Sequence, residues 1–160
     1  MLAELIGGLR DDDDRPALAG AASRGELARL THGYGVALRE QGLTAGQTVG
    51  LAVRPGLRSL ATMLAAYRQG LRIAVLDPKA GPDVLLARLA LAQPRLVLAD
   101  AAAQAVAGWA APLARRAHLA LPDLGAIAPV RTIGRRLPGS APVLAPATGP
   151  LPRPFDSDGD

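Results

Sequence analysis

Two carboxylates sit where chemistry would be easiest to place. Asp77 follows the short apolar run Ile73 to Leu76, and Asp100 follows Leu96 to Ala99. Both runs read as β-strands. Ligands of open α/β sheets gather outside the carboxyl ends of the strands, so these side chains could hold a ribose hydroxyl or a metal ion there. A plainer use competes. Asp77 precedes Pro78 in a turn, and Asp100 precedes an alanine-rich helix that its oxygens would cap. The turn-and-cap reading is the stronger, because no Gly-x-Gly-x-x-Gly follows the first strand to bring a nucleotide there.

The other reactive types are sparse. Lys79 is the only lysine, and no glycine-rich loop precedes it. His32 and His118 lie far apart in sequence, and there is no cysteine, so thiolate metal sites and disulfides are excluded and a zinc site is not expected. His32 falls beside the apolar stripe of a helix, which points to a structural histidine. Asp11 to Asp14 repel one another and cannot all face one ion without a turn, so a solvated loop is expected. No residue is assigned a catalytic, cofactor-binding or metal-binding role.

The elements that would position these groups follow from spacing. Ser23 and Glu26 form a capping box ahead of a helix to about Gln41, with Leu27, Leu30, Tyr34 and Leu38 on one stripe. Gly33 and Gly35 weaken that helix locally, and Gly42 suits its C-cap. Thr48 to Val53 is a short, mostly apolar run, as expected of a strand covered on both faces. Leu57 to Gln69 carries Leu60, Met63, Leu64 and Tyr67 at helical spacing, and Gly70 stops it. With Ile73 to Leu76 this makes a right-handed βαβ unit. Pro82 opens a helix with Leu85, Leu86, Leu89 and Ala92 inward, and Pro94 ends it. Leu96 to Ala99 is the third strand, followed by a helix from Ala101 to about Ala110. Leu119 to Leu121 and Val130 to Ile133 are further candidate strands. The fold class is α/β, an open, mostly parallel sheet flanked by helices, with an irregular proline-rich C-terminal tail.

These residues also carry a resemblance. The order GLTAGQTVGLAVRP, an alanine-rich helix, then YRQGLRIAVLDP resembles the N-terminal subdomain of the acyl-adenylate-forming enzymes. That superfamily (AMP-dependent synthetases and ligases, the AMP-binding enzymes) includes acyl-CoA synthetases, peptide-synthetase adenylation domains and luciferases. Gln47 stands where the family has Asp after the glycine. LALAQPRLVLADAAAQAVAGWA (Leu89 to Ala110) and VRTIGRRLPG (Val130 to Gly139) are similar to the branch of olefin β-lactone synthetases and related fatty-acyl-CoA synthetases. The family normally has a β-hairpin before its first helix, for which Ala17 to Ala22 is too short here. The resemblance implies a parent ligase of fatty acid metabolism that activates a carboxylate with ATP and Mg²⁺ and passes the acyl-adenylate to CoA or to its own hydroxyl. The family's Ser/Thr/Gly-rich, lysine-containing phosphate loop does not occur in this chain. A fragment truncated before that loop is therefore expected, with the C-terminal part of the adenylating enzyme as its missing partner. A stand-alone scaffold or partner-binding module is the alternative.

Composition sets the remaining bounds. The 160 residues are enough to bury a core, and with only four aromatic residues that core must come from Leu, Val, Ile and Ala. Acidic residues gather at both ends, so Arg15 to Phe155 holds 17 basic and 6 acidic residues, a balance of +11. The basic residues are singles and pairs without stacking aromatics, which argues against nucleic acid. Apolar runs are too short for a membrane span, and no signal peptide is recognisable, so a cytoplasmic location is expected. Met1 to Leu9 reads as a short docking helix. Three segments result: 1–14 as N-terminal helix and acidic loop, 15–137 as the α/β subdomain, and 138–160 as an extended linker or disordered tail.

Overall fold

The computed structural model describes residues 10, 12–18 and 22–150. The helix expected over Met1 to Leu9, the first aspartate of the acidic run and tail residues 151–160 lie outside them. The described chain forms two compact units. One takes the residues up to Gly46, Pro55–Arg72 and those from Ala145 onward; the other takes Gln47–Arg54 and Ile73–Leu144.

In the first unit, β1 (Pro16–Leu18) pairs antiparallel with β2 (Ala22–Ser23). The expectation of no hairpin is thus corrected. A register shift between Pro16 and Leu18 lets a strand of two residues pair with one of three. The acidic run is likewise more structured than a freely solvated loop, because Arg15 grips Asp13 with a two-pronged fork, Nε to Oδ1 at 2.8 Å and Nη2 to Oδ2 at 2.6 Å. That fork holds the Asp13 carboxyl down at about 2.

Helix α1 (Arg24–Glu40) starts where the capping residues place it, Ser23 Oγ accepting from the Glu26 amide at 3.1 Å. Leu27, Tyr34 and Leu38 are buried, and Gly42 takes a positive φ of 75° just past the end. Helix α2 (Leu57–Arg68) packs against α1 but is turned from the expected face. Ser59, Ala61, Thr62, Ala65 and Ala66 are buried, Leu60, Met63 and Leu64 are half-buried, and Tyr67 is exposed. Small residues let the two backbones approach closely, which wins over the larger face.

The second unit holds the sheet, in the order β4-β3-β5-β6, from β3 (Thr48–Ala52), β4 (Arg72–Val75), β5 (Leu96–Ala99) and β6 (Val130–Thr132). Val49 pairs with Leu96 and Val97 with Val130, both parallel. β3 and β5 are buried throughout, as their continuous apolar runs require, whereas edge strand β4 is exposed at Arg72 and Val75. Helices α3 (Pro82–Ala92), α4 (Ala101–Ala107), α5 (Ala111–Arg116) and α6 (Leu124–Ile127) complete it. Leu85 and Leu89 of α3 join Ala52, Leu76, Val97, Ala99, Leu124 and Ala128 in one core. Leu86, expected inward, is exposed. Leu119 to Leu121 is not a strand; its one ladder-like contact is the Ala120 amide on the Pro78 carbonyl at 2.9 Å. The helix expected to Ala110 stops at Ala107, because Gly108 takes a non-helical conformation. No described helix is long and apolar enough to cross a membrane.

From Pro138 to Pro150 the chain is extended but not unpartnered. In the second unit the Thr132 amide donates to the Pro142 carbonyl at 2.8 Å, and the Leu144 amide returns to Thr132 at 2.9 Å. Leu144 and Ser140 are buried. In the first unit the Ala147 amide donates to the Gly33 carbonyl at 3.0 Å. Prolines make a segment look like a linker, but their carbonyls and neighbouring amides still find partners.

Candidate functional site

The carboxyl ends of the strands are the first place to look. The chain runs from β3 outward to β4 and from β5 outward to β6, so the strand order reverses between β3 and β5. Arg54 follows β3 and Asp100 follows β5, which brings them together there. Arg54 Nε donates to Asp100 Oδ2 at 2.8 Å and the Arg54 amide donates to the same oxygen at 3.1 Å. Oδ1 accepts from the Ala103 amide at 2.8 Å, making Asp100 the cap of α4. Both carboxylate oxygens are therefore engaged by the chain itself. The Asp100 side chain is 10% exposed, while that of Arg54 is 79% exposed.

Burial works against the charged form of Asp100, but the Ala103 amide and the Arg54 guanidinium and amide outweigh it, so its pKa lies below the ordinary value. A depressed folded-state pKa gives stability that is present above the unfolded pKa near 3.8 and is lost as pH falls through the folded value. The stability of the wild type should therefore fall more steeply below that pH than that of Asp100→Asn, which keeps a capping oxygen. Equal acid limbs in thermal melts of the two proteins would remove Asp100 from the acid response.

Asp77 is not brought to Asp100. It follows β4, with β3 between the two strands, and its Oδ1 accepts from the Lys79 amide at 2.9 Å in an exposed turn. The turn-and-cap chemistry is what the geometry shows for both aspartates. His32 lies exposed on α1, its Nε2 2.7 Å from the Gly149 carbonyl, and does structural work there. Among the described residues no three His, Cys, Asp or Glu side chains gather to hold a metal.

A second place is an open depression of about 490 Å³ in the second unit, lined by Gln104, Gly108, Asp123, Val130, Ser140 and Ala141 among others. Asp123 is its only ionisable lining residue, and its Oδ1 caps α6 on the Gly125 amide at 3.0 Å. The rim contains a partly buried polar network. Gln104 Nε2 donates to Thr132 Oγ1 at 2.9 Å and its Oε1 accepts from the Ala141 amide at 2.7 Å. Thr132 Oγ1 in turn donates to the Ala141 carbonyl at 2.6 Å. Arg54, Gln104 and Thr132 were not singled out by sequence. Only an Arg two residues past a strand end hinted at the first; nothing local hinted at the pairing of Gln104 with residues 28 and 37 positions away.

An open parallel sheet with flanking helices defines an α/β subdomain, and the Arg54–Asp100 pair fills its switch point. The chain matches the family of AMP-binding enzymes over residues 9–141, and it belongs to that family. No curated protein sequence matches the chain. Among solved structures it is similar to the amide bond synthetase McbA from Marinactinospora thermotolerans, at 19% identity and a TM-score of 0.66, over 97% of this chain and 29% of that one. A benzoate CoA ligase from Burkholderia xenovorans gives 18% identity and a TM-score of 0.63 over 91% of this chain and 29% of that one. At these identities the likeness is one of fold. The chain spans under a third of the length of those relatives.

The described residues do not fit ATP and Mg²⁺. The carboxylates at the strand ends are spent on a cap, a turn and an ion pair, and the depression has no cationic group to meet phosphates.

Proposed function

We propose that this chain is the N-terminal portion of an ATP-dependent acyl-adenylating ligase and does not catalyse adenylation by itself. One observation carries the reading: a family match over residues 9–141 in a chain with a single lysine and no Ser/Thr/Gly-rich phosphate loop. Adenylate formation needs backbone amides and a cation to stabilise charge on the transferring phosphate, and among the described residues these are not gathered in a common site. The C-terminal part of the enzyme would supply them, with ATP and Mg²⁺, and with CoA where CoA is the acceptor. The stretches Leu89 to Ala110 and Val130 to Gly139 support a fatty or β-hydroxy-fatty carboxylate as the parent's substrate, and a cytoplasmic location accords with that role.

Pure 160-residue protein should show no carboxylate-dependent ATP–pyrophosphate exchange above background, across fatty and β-hydroxy-fatty acids. Robust exchange would sink the proposal. The reading frame past the Asp160 codon gives an independent check, since the proposal expects a Ser/Thr/Gly-rich, lysine-containing loop to follow.

A further inference from the structure

The segment from Gly108 to His118 presents a combination that neither the core nor the strand-end groups use. Trp109 is 77% exposed and Leu113, four residues on, is 64% exposed. Arg115, Arg116 and His118, next along the chain, are also exposed. No acidic residue occurs between Asp100 and Asp123, so these cations are uncompensated within their own stretch of chain.

Much of the backbone around this patch is already paired. The amides of Gly108, Ala110, Ala111, Leu113, Ala114, Ala117 and His118 all donate to carbonyls between Gln104 and Arg115, and Pro112 has no amide to satisfy. Amides paired in this way are not stranded when their part of the chain enters a poorly hydrated interface. An exposed tryptophan is suited to such an interface, its ring apolar and its indole N–H wet. Adjacent arginines can snorkel to headgroup phosphates.

We infer that Trp109 and Leu113 insert into the interface of an anionic lipid surface, with Arg115 and Arg116 on its headgroup phosphates. Charge complementarity selects this occupant: the patch is cationic and the body between Arg15 and Phe155 has a balance of +11, whereas a protein partner of no net charge would gain nothing from it. The segment is a surface anchor, not a span. It does not depend on the ligase reading, and its readout is separate from nucleotide exchange.

Trp109 is the only tryptophan of the chain, so its emission reports this site alone. Titration with vesicles of phosphatidylcholine containing phosphatidylglycerol should shift the emission to the blue and protect it from iodide. Vesicles of phosphatidylcholine alone should not, and high salt should reverse the shift. Arg115→Glu with Arg116→Glu should weaken partitioning at least about tenfold, from two cations lost and reversed near the surface. The charge-matched pair Arg39→Glu with Arg72→Glu should change it by less than about threefold.

Vesicle binding with Trp109 still red-shifted and open to iodide overturns the proposal, since contact then lies elsewhere. So does a blue-shifted, concentration-dependent emission without lipid, which assigns the patch to a second copy. Should the chain not stay folded alone, co-sedimentation of the whole gene product and its Arg115→Glu/Arg116→Glu variant reads the same difference, and equal co-sedimentation overturns the proposal.

Discussion

Gly33→Ala is expected to destabilise the first unit by about 1–3 kcal/mol, although it replaces a poor helix former with the best one. A methyl group on Gly33 would lie 2.6 Å from Pro146 Cβ, 3.1 Å from Pro146 Cα and 3.3 Å from the Ala147 carbonyl oxygen. Neither a proline ring nor backbone can swing aside as a flexible side-chain end could. In an open helix the change would stabilise by about 1 kcal/mol. The clash outweighs that gain, because relieving it also breaks the Ala147 amide's bond to the Gly33 carbonyl and the nearby bond from His32 to Gly149. Hydrogen exchange at Ala147 locates the damage: its amide should lose protection while Leu38 keeps it. A variant more stable than wild type, with Ala147 still protected, would show that residues 145–150 are not held against α1.

Gln104→Leu should cost the second unit about 1–3 kcal/mol, because it leaves the Ala141 amide without an acceptor and removes one hydrogen bond to Thr132, whose hydroxyl keeps its bond to the Ala141 carbonyl. The side chains have similar volumes, so the loss is polar and not a cavity. Removing the amide leaves the Ala141 N–H without its 2.7 Å acceptor and removes the 2.9 Å donor to Thr132 Oγ1. Thr132 is fully buried, so water cannot replace that donor cheaply. Gln104→Glu is the informative companion. It keeps an oxygen for the Ala141 amide but loses the donor, and it brings a charge beside a buried hydroxyl, so its stability should recover at low pH. Denaturant melts of both variants decide the matter; a loss below about 0.5 kcal/mol in Gln104→Leu would mean that the network contributes little.

Both variants act on the same length of chain, residues 138–150. Composition marks it as a linker, yet α1 and β6 each hold part of it.

Much of the architecture was legible without coordinates, and for local reasons. Ser23 and Asp100 accept from amides three residues ahead, so an N-cap can be read wherever such a residue meets a helical pattern. Continuous apolar runs at Thr48 to Ala52 and Leu96 to Ala99 could only be strands buried on both faces. Gly42 ends a helix by its freedom to take a positive φ and Pro94 by its restriction of the residue before it. The absence of a phosphate loop is also a property of the sequence alone.

What tertiary structure decided was every choice between faces and every distant partner. α2 buries Ala61, Thr62, Ala65 and Ala66 in preference to Leu60, Met63 and Leu64, because close approach of two helices favours small side chains over the more hydrophobic stripe. Leu86 faces outward although its spacing suits the core, since one α3 face had already been filled by Leu85 and Leu89. Arg54 found Asp100 46 residues away and Gln104 found Ala141 37 residues away. No local period encodes such pairs. They exist because parallel strands bring the ends of distant segments side by side, and a buried polar group must be satisfied by whatever the fold has carried there.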